Sequence, residues 1–160
     1  LHTGRPAEAR RELQPLINAR EAMETVEQYI GFAPAATLMT IAEEIVRGEL
    51  AHAEGDTLYG LAHLERAVRL EDSLRYNEPP DWYFPVRHFL GAMLLDAGRP
   101  TEAEVVYAAD LRKNPENGYS LFGLGRALEQ QGRSEDAKVV AKRFDRAWAE
   151  AAHRLVSSRF

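Results

Sequence analysis

The sequence contains no cysteine, which excludes a disulfide framework, a thiol nucleophile and a thiolate metal site. No stretch approaches the roughly 18 consecutive apolar residues that a membrane span requires. There is no excess of positive charge either, since the formal net charge at pH 7 is −5. Nucleic acids and anionic membranes both favour a basic protein face. Neither a nucleic-acid partner nor a membrane partner is therefore expected.

Sequence motifs for catalysis and cofactor binding are also missing. The histidines do not form an i, i+4 pair or a His-Glu-x-x-His motif that would suggest zinc, and they are scattered at His2, His52, His63, His88 and His153. There is no glycine-rich phosphate loop and no nucleophile elbow. Carboxylates such as Glu78 and Asp81 have no evident partner that would tune them for acid–base chemistry. The sequence predicts a non-catalytic chain without metal or cofactor.

The chain does contain an internal repeat. The residues Gly91, Gly98, Arg99, Glu102 and Ala103 recur 34 positions later as Gly125, Gly132, Arg133, Asp136 and Ala137. A fixed period of about 34 residues is typical of stacked helix-turn-helix units. The repeat predicts helices over residues 82–97, 100–113, 118–131 and 134–157, with Ser134 as the cap of the last helix. The part of that helix beyond Trp148 is expected to cap the stack.

The first half of the chain carries weaker copies of the same pattern. Residues 4–9 match residues 98–103, the hexad that joins the first helix of a pair to the second. Residues 1–4 are therefore expected to end a helix, and the chain to begin inside a repeat as the C-terminal part of a longer protein. The alternative is a natural start with a single capping helix. A divergent repeat surrounds the turn at Gly55 and Asp56.

Helical spacing and prolines predict the remaining elements. A helix over residues 6–18 is expected to end or kink near Leu13 because of Pro15. An irregular helix is expected over 19–32, and Pro34 suits the first turn of a helix that runs to residue 53. A further helix is expected over 58–74. The spacing between repeats is then interrupted by an insert at residues 75–83.

Glycine inside a helix costs about 1 kcal/mol relative to alanine, so Gly91 and Gly125 require an explanation. We expect both to allow the two helices of a pair to approach closely, with the small Ala103 and Ala137 as the matching surfaces. A leucine at either glycine would then overpack the contact.

At these residues the chain resembles the tetratricopeptide repeat family of bacterial type. The residues that carry the resemblance are Leu90, Gly91 and Leu94 with Ala103, Tyr107 and Pro115, then Leu121, Leu124, Gly125 and Leu128. Arg87 and Asp110 depart from the family pattern, as do Ala141 and Phe144. The resemblance implies an all-α, right-handed α-solenoid of about seven or eight helices in antiparallel pairs.

The expected divisions of this single solenoid follow from the same pattern. They are a half repeat with an irregular helix at 1–33, a divergent repeat at 34–74, the insert at 75–83, two repeats at 84–117 and 118–148, and a capping extension at 149–160.

The resemblance also implies a concave groove, formed by the first helices of successive pairs, that binds a peptide or an extended protein segment. The candidate groove residues are Arg87, His88, Ala92, Leu95, Tyr119, Phe122, Arg126 and Glu129. For each of them ordinary packing or a solvated surface is the alternative interpretation. The expected function is a non-catalytic protein- or peptide-binding scaffold.

The insert is rich in aromatic residues and proline. Trp82 and Tyr83 are predicted to contact a partner, and the insert could form one wall of a pocket. The alternative is that both rings fill a gap left by the longer connection while Asp81 caps the next helix. A second possible function is a small-molecule-binding or enzymatic accessory domain, with its pocket at residues 76–83 and His88.

The sequence also bears on self-association and on the cellular compartment. The apolar face formed by Leu13, Leu16 and Ile17 in the N-terminal half repeat could drive homo-oligomerisation if nothing covers it. The compartment stays open, with the cytoplasm slightly favoured, and the protein or peptide partner is not identified by the sequence.

Overall fold

The computed structural model describes residues 6–159, and the predicted helix end at residues 1–4 lies outside them. The chain divides between Val86 and Arg87 into two compact units, which are described separately below. Within residues 6–159 there are seven α-helices and one very short hairpin. The predicted all-α helical-repeat fold is therefore confirmed. None of the helices in this range is long and apolar enough to cross a membrane.

The first unit contains three helices and the hairpin. Its elements are α1 Pro6–Glu24, β1 Tyr29–Ile30, β2 Ala33–Pro34, α2 Ala35–Ala53 and α3 Thr57–Ser73. Helix α1 packs on α2, and α2 packs on α3.

The pairing of α2 with α3 follows the predicted pattern. Gly55 adopts a φ of +93°, which suits a glycine, and turns the chain between the two helices. The Asp56 carboxylate accepts the Tyr59 N–H at 3.0 Å and caps α3. Ile41 of α2 and Leu64 of α3 are fully buried, so the two apolar faces form the core of this unit.

Helix α1 continues through Pro15, where the sequence predicted a break or a kink. A proline inside a helix leaves the carbonyl four residues earlier without its helical hydrogen bond. That carbonyl belongs to Arg11, which is exposed, so water can satisfy it. The cost of Pro15 is thereby reduced, and the helix extends to Glu24.

The prediction of a helix over residues 19–32 is wrong beyond Glu24. The strands β1 and β2 form an antiparallel hairpin in which Tyr29 pairs with Pro34 and Ile30 pairs with Ala33. Gly31, with a φ of +61°, makes the turn. Pro34 has an extended ψ of 130° and precedes α2 as its N-cap, so it is not part of the first helical turn.

Helix α4 begins at Val86, four residues later than predicted. Pro85 explains the delay, because the residue before a proline is disfavoured in helical conformation. The Val86 N–H donates to Glu71 Oε2 at 3.1 Å, which satisfies one of the free donors at the helix start. Asp81 does not cap α4, which was part of the alternative interpretation of the insert. Its carboxylate accepts hydrogen bonds from the hairpin and the insert.

The second unit contains the two repeats. Its helices are α4 Val86–Asp96, which starts one residue before the division, α5 Pro100–Lys113, α6 Gly118–Gln130 and α7 Ser134–Ala147. Gly98 and Gly132, with φ values of +68° and +74°, form the equivalent turns. Helix α6 packs on both α5 and α7. Asn117 caps α6 by accepting the N–H groups of Tyr119 and Ser120.

Helix α7 ends at Ala147, ten residues earlier than predicted, and Ser134 is its first residue while its cap position is Arg133. Residues 148–159, which we call the return segment, are not helical. Trp148 accounts for the end of the helix, because its ring packs where a Cβ on Gly118 would lie, 2.3 Å from Cε3. The Trp148 Nε1–H also donates to the His153 carbonyl oxygen at 2.8 Å, which turns the chain back.

Candidate functional site

The site is built around the ring of Tyr107, which lies in a slot between α4 and α6. A Cβ placed on Gly91 would lie 2.4 Å from Tyr107 Cζ, and one placed on Gly123 would lie 2.1 Å from the same atom. Both distances are far shorter than a real contact, so each position requires glycine. The fully buried Tyr107 ring therefore packs directly against the backbones of α4 and α6, because neither helix has a side chain at that position.

The two glycines singled out by the repeat behave differently. Gly91 allows the close approach that was predicted, although the group it admits is Tyr107 and not Ala103. The prediction for Gly125 is wrong, because a Cβ there would meet only Val140 Cγ1 at 3.9 Å, an ordinary contact. The glycine that the sequence missed is Gly123. Its position in the preceding repeat is Phe89, so comparison of the repeats gave no signal for it.

The hydroxyl of Tyr107 meets the return segment. It lies 2.6 Å from Ser158 Oγ, and Ser158 Oγ donates to the backbone carbonyl of His88 at 3.1 Å. Because the serine proton is used in that second bond, the Tyr107 hydroxyl donates to Ser158 Oγ. Ser158 is 2% exposed. Burial raises the pKa of Tyr107 well above its usual range, so the phenol keeps the proton that this bond requires.

The residue after Ser158 makes an ion pair with α4. Arg159 Nη2 donates to Asp96 Oδ2 at 2.6 Å, and the Arg159 side chain is 9% exposed whereas that of Asp96 is 49% exposed. The arginine stem is thus covered by protein while its partner carboxylate faces water. Together with the Ser158 contacts, this pair holds residues 158 and 159 in a fixed register against α4.

A cavity of about 110 Å³ lies beside these contacts. It is lined by α4, α6 and the return segment, through Ala92, Leu95, Asp96, Phe122, Gly123, Arg126, Gln130, Val156, Ser157 and Ser158. We call the surface that α4 and α6 contribute to this cavity the groove. Four of the residues named from the sequence, Ala92, Leu95, Phe122 and Arg126, thus lie together in it.

His88 is placed differently from the prediction. Its side chain is fully buried, with Nε2 3.2 Å from Asp110 Oδ2, so it cannot contact a partner. The same Asp110 carboxylate accepts Ser120 Oγ at 2.6 Å and Asn114 Nδ2 at 2.9 Å. Burial raises the pKa of Asp110, but the hydrogen bonds from His88, Ser120 and Asn114 outweigh burial and leave the pKa below its usual value. His88 and Asp110 therefore join α4 to α5.

The aromatic candidates of α6 contact other rings of the second unit. Tyr119 stacks on His88 with ring centroids 5.5 Å apart and meets the edge of Trp148 at 5.3 Å. Phe122 packs on Phe144 at 5.8 Å. Both Tyr119 and Phe122 are half-buried, so each presents part of its surface to solvent.

The charged candidates stay at the surface. Arg126 and Glu129 are both exposed and form a loose ion pair with Nη1 and Oε2 3.8 Å apart. Such an exposed pair contributes little to stability, so both side chains are free to change partners. Arg87 on α4 is half-buried.

The remaining candidates, Trp82 and Tyr83, belong to the first unit. Tyr83 is 77% exposed, as Tyr76 is to 81%, so neither ring encloses a pocket. Trp82 is half-buried, and its indole Nε1 has no hydrogen-bond partner within residues 6–159.

The first unit does contain a cleft, but the aromatic rings of the insert do not line it. The cleft has a volume of about 590 Å³ and is lined by Tyr29, Gly31, Phe32, Ala33, Pro34, Thr37, Ser73, Leu74 and Arg75. The predicted pocket combining residues 76–83 with His88 is not supported, since the His88 side chain is buried in the second unit. Within residues 6–159 no group of three or more metal-ligating side chains is arranged to hold a metal ion.

Comparison with known proteins agrees with this geometry. The tetratricopeptide repeat family model matches residues 94–155, which include α5, α6 and α7. No curated protein and no solved structure matched the chain. Residues 94–155, with their paired helices and glycine turns, belong to the tetratricopeptide repeat family.

Proposed function

We propose that the second unit is a protein-binding module whose groove holds an extended segment of polypeptide. Tetratricopeptide repeats are in general protein-interaction scaffolds and are typically non-catalytic. The observation that carries the proposal for this chain is that the groove already holds non-helical polypeptide, residues 156–158 of the return segment. A surface that orients a non-helical chain in one place is suited to do the same for a partner.

The residues around the groove offer the contacts that such binding uses. Phe122 and Tyr119 are half-buried rings, and aromatic side chains supply large contact area at small conformational cost. Arg126 is exposed at the cavity, with Glu129 beside it. We propose Arg87, Tyr119, Phe122, Arg126 and Glu129 as partner-binding residues. His88 contributes its backbone carbonyl.

The proposal is tested by selecting peptides from a random octapeptide display library on the full chain. The selected peptides are then measured against Arg126→Glu and against Lys138→Glu, a matched charge change at an exposed position on α7. We expect Arg126→Glu to weaken binding at least about tenfold and Lys138→Glu to leave it unchanged. If both variants bind as the wild type does, the groove is not the binding site. The same holds if no peptide is selected on the full chain or on the full chain with Ser158→Val and Arg159→Ala, in which the contacts of residues 158 and 159 with the groove are removed.

The alternative function, a small-molecule-binding or enzymatic accessory domain, has less support. Its pocket was placed at residues 76–83, where Tyr76 and Tyr83 extend into solvent. A ligand site is normally concave with a few convergent polar groups. The cleft beside the hairpin is concave, but Arg75 is the only residue of the insert that lines it.

A further inference from the structure

We propose that the groove is specific for a non-helical partner segment in which a small hydroxyl side chain is followed by arginine, and that residues 156–159 occupy this site until a partner displaces them. The inference rests on the proposed function, since it names the chemistry that the same groove selects. It is read from the contacts that the occupying residues make.

The first determinant is the hydroxyl subsite. Tyr107 donates a hydrogen bond into the groove, and the His88 carbonyl accepts one beside it. A serine-like hydroxyl both accepts and donates, so a single small group satisfies the two. An apolar side chain at this position would leave the buried Tyr107 hydroxyl without its partner, and loss of such a partner is costly in affinity. The slot formed by Gly91 and Gly123 admits the Tyr107 ring and thereby places its hydroxyl at this position.

The second determinant is the carboxylate of Asp96. It pairs with an arginine whose stem is nearly covered by protein, and the pair lies one residue after the hydroxyl subsite. A planar guanidinium can make charge-assisted hydrogen bonds to a carboxylate, and an acidic side chain in its place would be repelled. Because the two subsites are one residue apart, the groove selects a residue with a hydroxyl group followed directly by an arginine.

The occupying residues are held in a way that allows exchange. Residues 158 and 159 are fixed by hydrogen bonds and an ion pair, whereas Val156 is almost fully exposed and adds little apolar contact. The cavity of about 110 Å³ beside Ser157 is not filled by this segment. A partner with a larger side chain at the position of Ser157 gains apolar contact with Phe122 and Ala92 that the return segment lacks.

Tethering explains why a partner has to compete. A segment joined by a short linker is present at an effective concentration of about millimolar, so a peptide added from outside meets an occupied groove. The apparent affinity of that peptide equals its affinity for the open groove multiplied by the fraction of molecules in which the groove is open. Trp148 and its bond to His153 lie outside the exchanging part, and they hold the start of the return segment in place.

The experiment uses the full chain and a fluorescein-labelled octapeptide with the sequence of residues 152–159, followed by fluorescence anisotropy. In the release variant, Ser158→Val with Arg159→Ala, the hydroxyl and the guanidinium of the occupying segment are removed. We expect this variant to bind the peptide at least about tenfold more tightly than the wild type does. Circular dichroism checks that its helicity is unchanged.

Specificity is tested in the release variant. A peptide with alanine in place of the residue equivalent to Ser158 should bind about tenfold more weakly, and Tyr107→Phe should abolish that difference. Asp96→Arg should weaken the original peptide and restore a peptide in which the final arginine is glutamate. Lys138→Glu serves as the control and should change none of these values.

The outcomes separate this inference from the proposed function. The release variant could bind the library-selected peptides without distinguishing the original octapeptide from its alanine and glutamate versions. That result would refute the proposed hydroxyl–arginine specificity and leave the proposed peptide binding intact. If wild type and release variant bind the octapeptide equally, the return segment does not compete for the groove. If the release variant binds neither kind of peptide, both proposals fail.

Discussion

Tyr107 connects packing and recognition in the second unit. Its ring fills the slot between Gly91 and Gly123, and its hydroxyl emerges where Ser158 lies. The position was recognised from the sequence as the aromatic residue of a repeat. Its second role could not be recognised, because it depends on Gly123, which is 16 positions away in the chain, and on a serine 51 positions away.

The slot gives a direct prediction with a matched control. Gly123→Ala should lower the free energy of unfolding by about 1–3 kcal/mol or more, because the added methyl group overlaps the Tyr107 ring. Gly125→Ala should raise it by up to about 1 kcal/mol, because that Cβ has room and alanine favours the helix. Urea denaturation of both variants measures the difference. Equal stabilisation by the two alanines would show that the slot is not required.

Asp110 leads to a prediction about pH. Its folded-state pKa lies below the usual value of 3.8, so its hydrogen-bonded carboxylate stabilises the fold above that pH. This contribution is lost as the pH falls below 3.8 through the folded-state pKa. The wild type should therefore be more stable than Asp110→Asn near pH 6, and the gap should narrow towards pH 2.5.

Thermal unfolding of both proteins at several pH values measures this difference in stability. A difference that stays constant down to pH 2.5 would show that the charge of Asp110 does not contribute.

The hydrogen bonds of Asp110 also explain why this residue departs from the family pattern. An alanine at this position could not accept hydrogen bonds from His88, Ser120 and Asn114.

At the scale of elements, contacts from distant parts of the chain decide where helices end. Helix α5 has the predicted bounds because both of its ends are marked locally, by Pro100 after Gly98 and by Asn114 before Pro115. Helix α7 ends early because Trp148 packs on Gly118. No local residue signals that end, so the pattern of helical spacing was extended too far.

The hairpin and the insert depend on each other through Asp81. Its Oδ2 accepts the Phe32 N–H at 3.0 Å, and its Oδ1 accepts Asn77 Nδ2 at 2.8 Å. A Cβ on Gly31 would lie 1.9 Å from Oδ1, so the turn itself is fitted against this carboxylate. Loss of the side chain should release both segments.

We therefore expect Asp81→Ala to increase amide hydrogen exchange at residues 25–34 and 76–81 by about tenfold, since hydrogen bonds to a carboxylate typically contribute roughly 1.5–3 kcal/mol. Exchange in α5 and α6 provides the internal reference. Glu65→Ala, at an exposed position on α3, is the control and should change neither region. Unchanged exchange in the hairpin of Asp81→Ala would contradict this role.

At the scale of the whole molecule, the chain forms two compact units, each with its own core. The predicted contact between copies was placed on Leu13, Leu16 and Ile17 of α1. All three are half-buried in a helix that packs on α2. More exposed apolar side chains lie in the hairpin region, where Tyr29, Ile30 and Phe32 are 57–60% exposed.

If copies of the chain associate through the first unit, the hairpin should carry more of the contact than α1. We expect light scattering to show a mass that rises with concentration for the wild type, and Ile30→Ser with Phe32→Ser to suppress the rise. Leu13→Gln with Leu16→Gln should suppress it less. A wild-type mass equal to one chain at all concentrations would refute self-association.

The sequence by itself determined the helical-repeat fold, the helix pairs and the turns at Gly55, Gly98 and Gly132, because these follow from local spacing and local backbone preference. It also identified most residues of the groove, since one helical face can be read from a periodic pattern. Tertiary structure decided that His88 is buried, that Gly123 is required in place of Gly125, and that residues 156–158 lie against the groove. These outcomes depend on contacts between residues far apart in the chain, which no local pattern encodes.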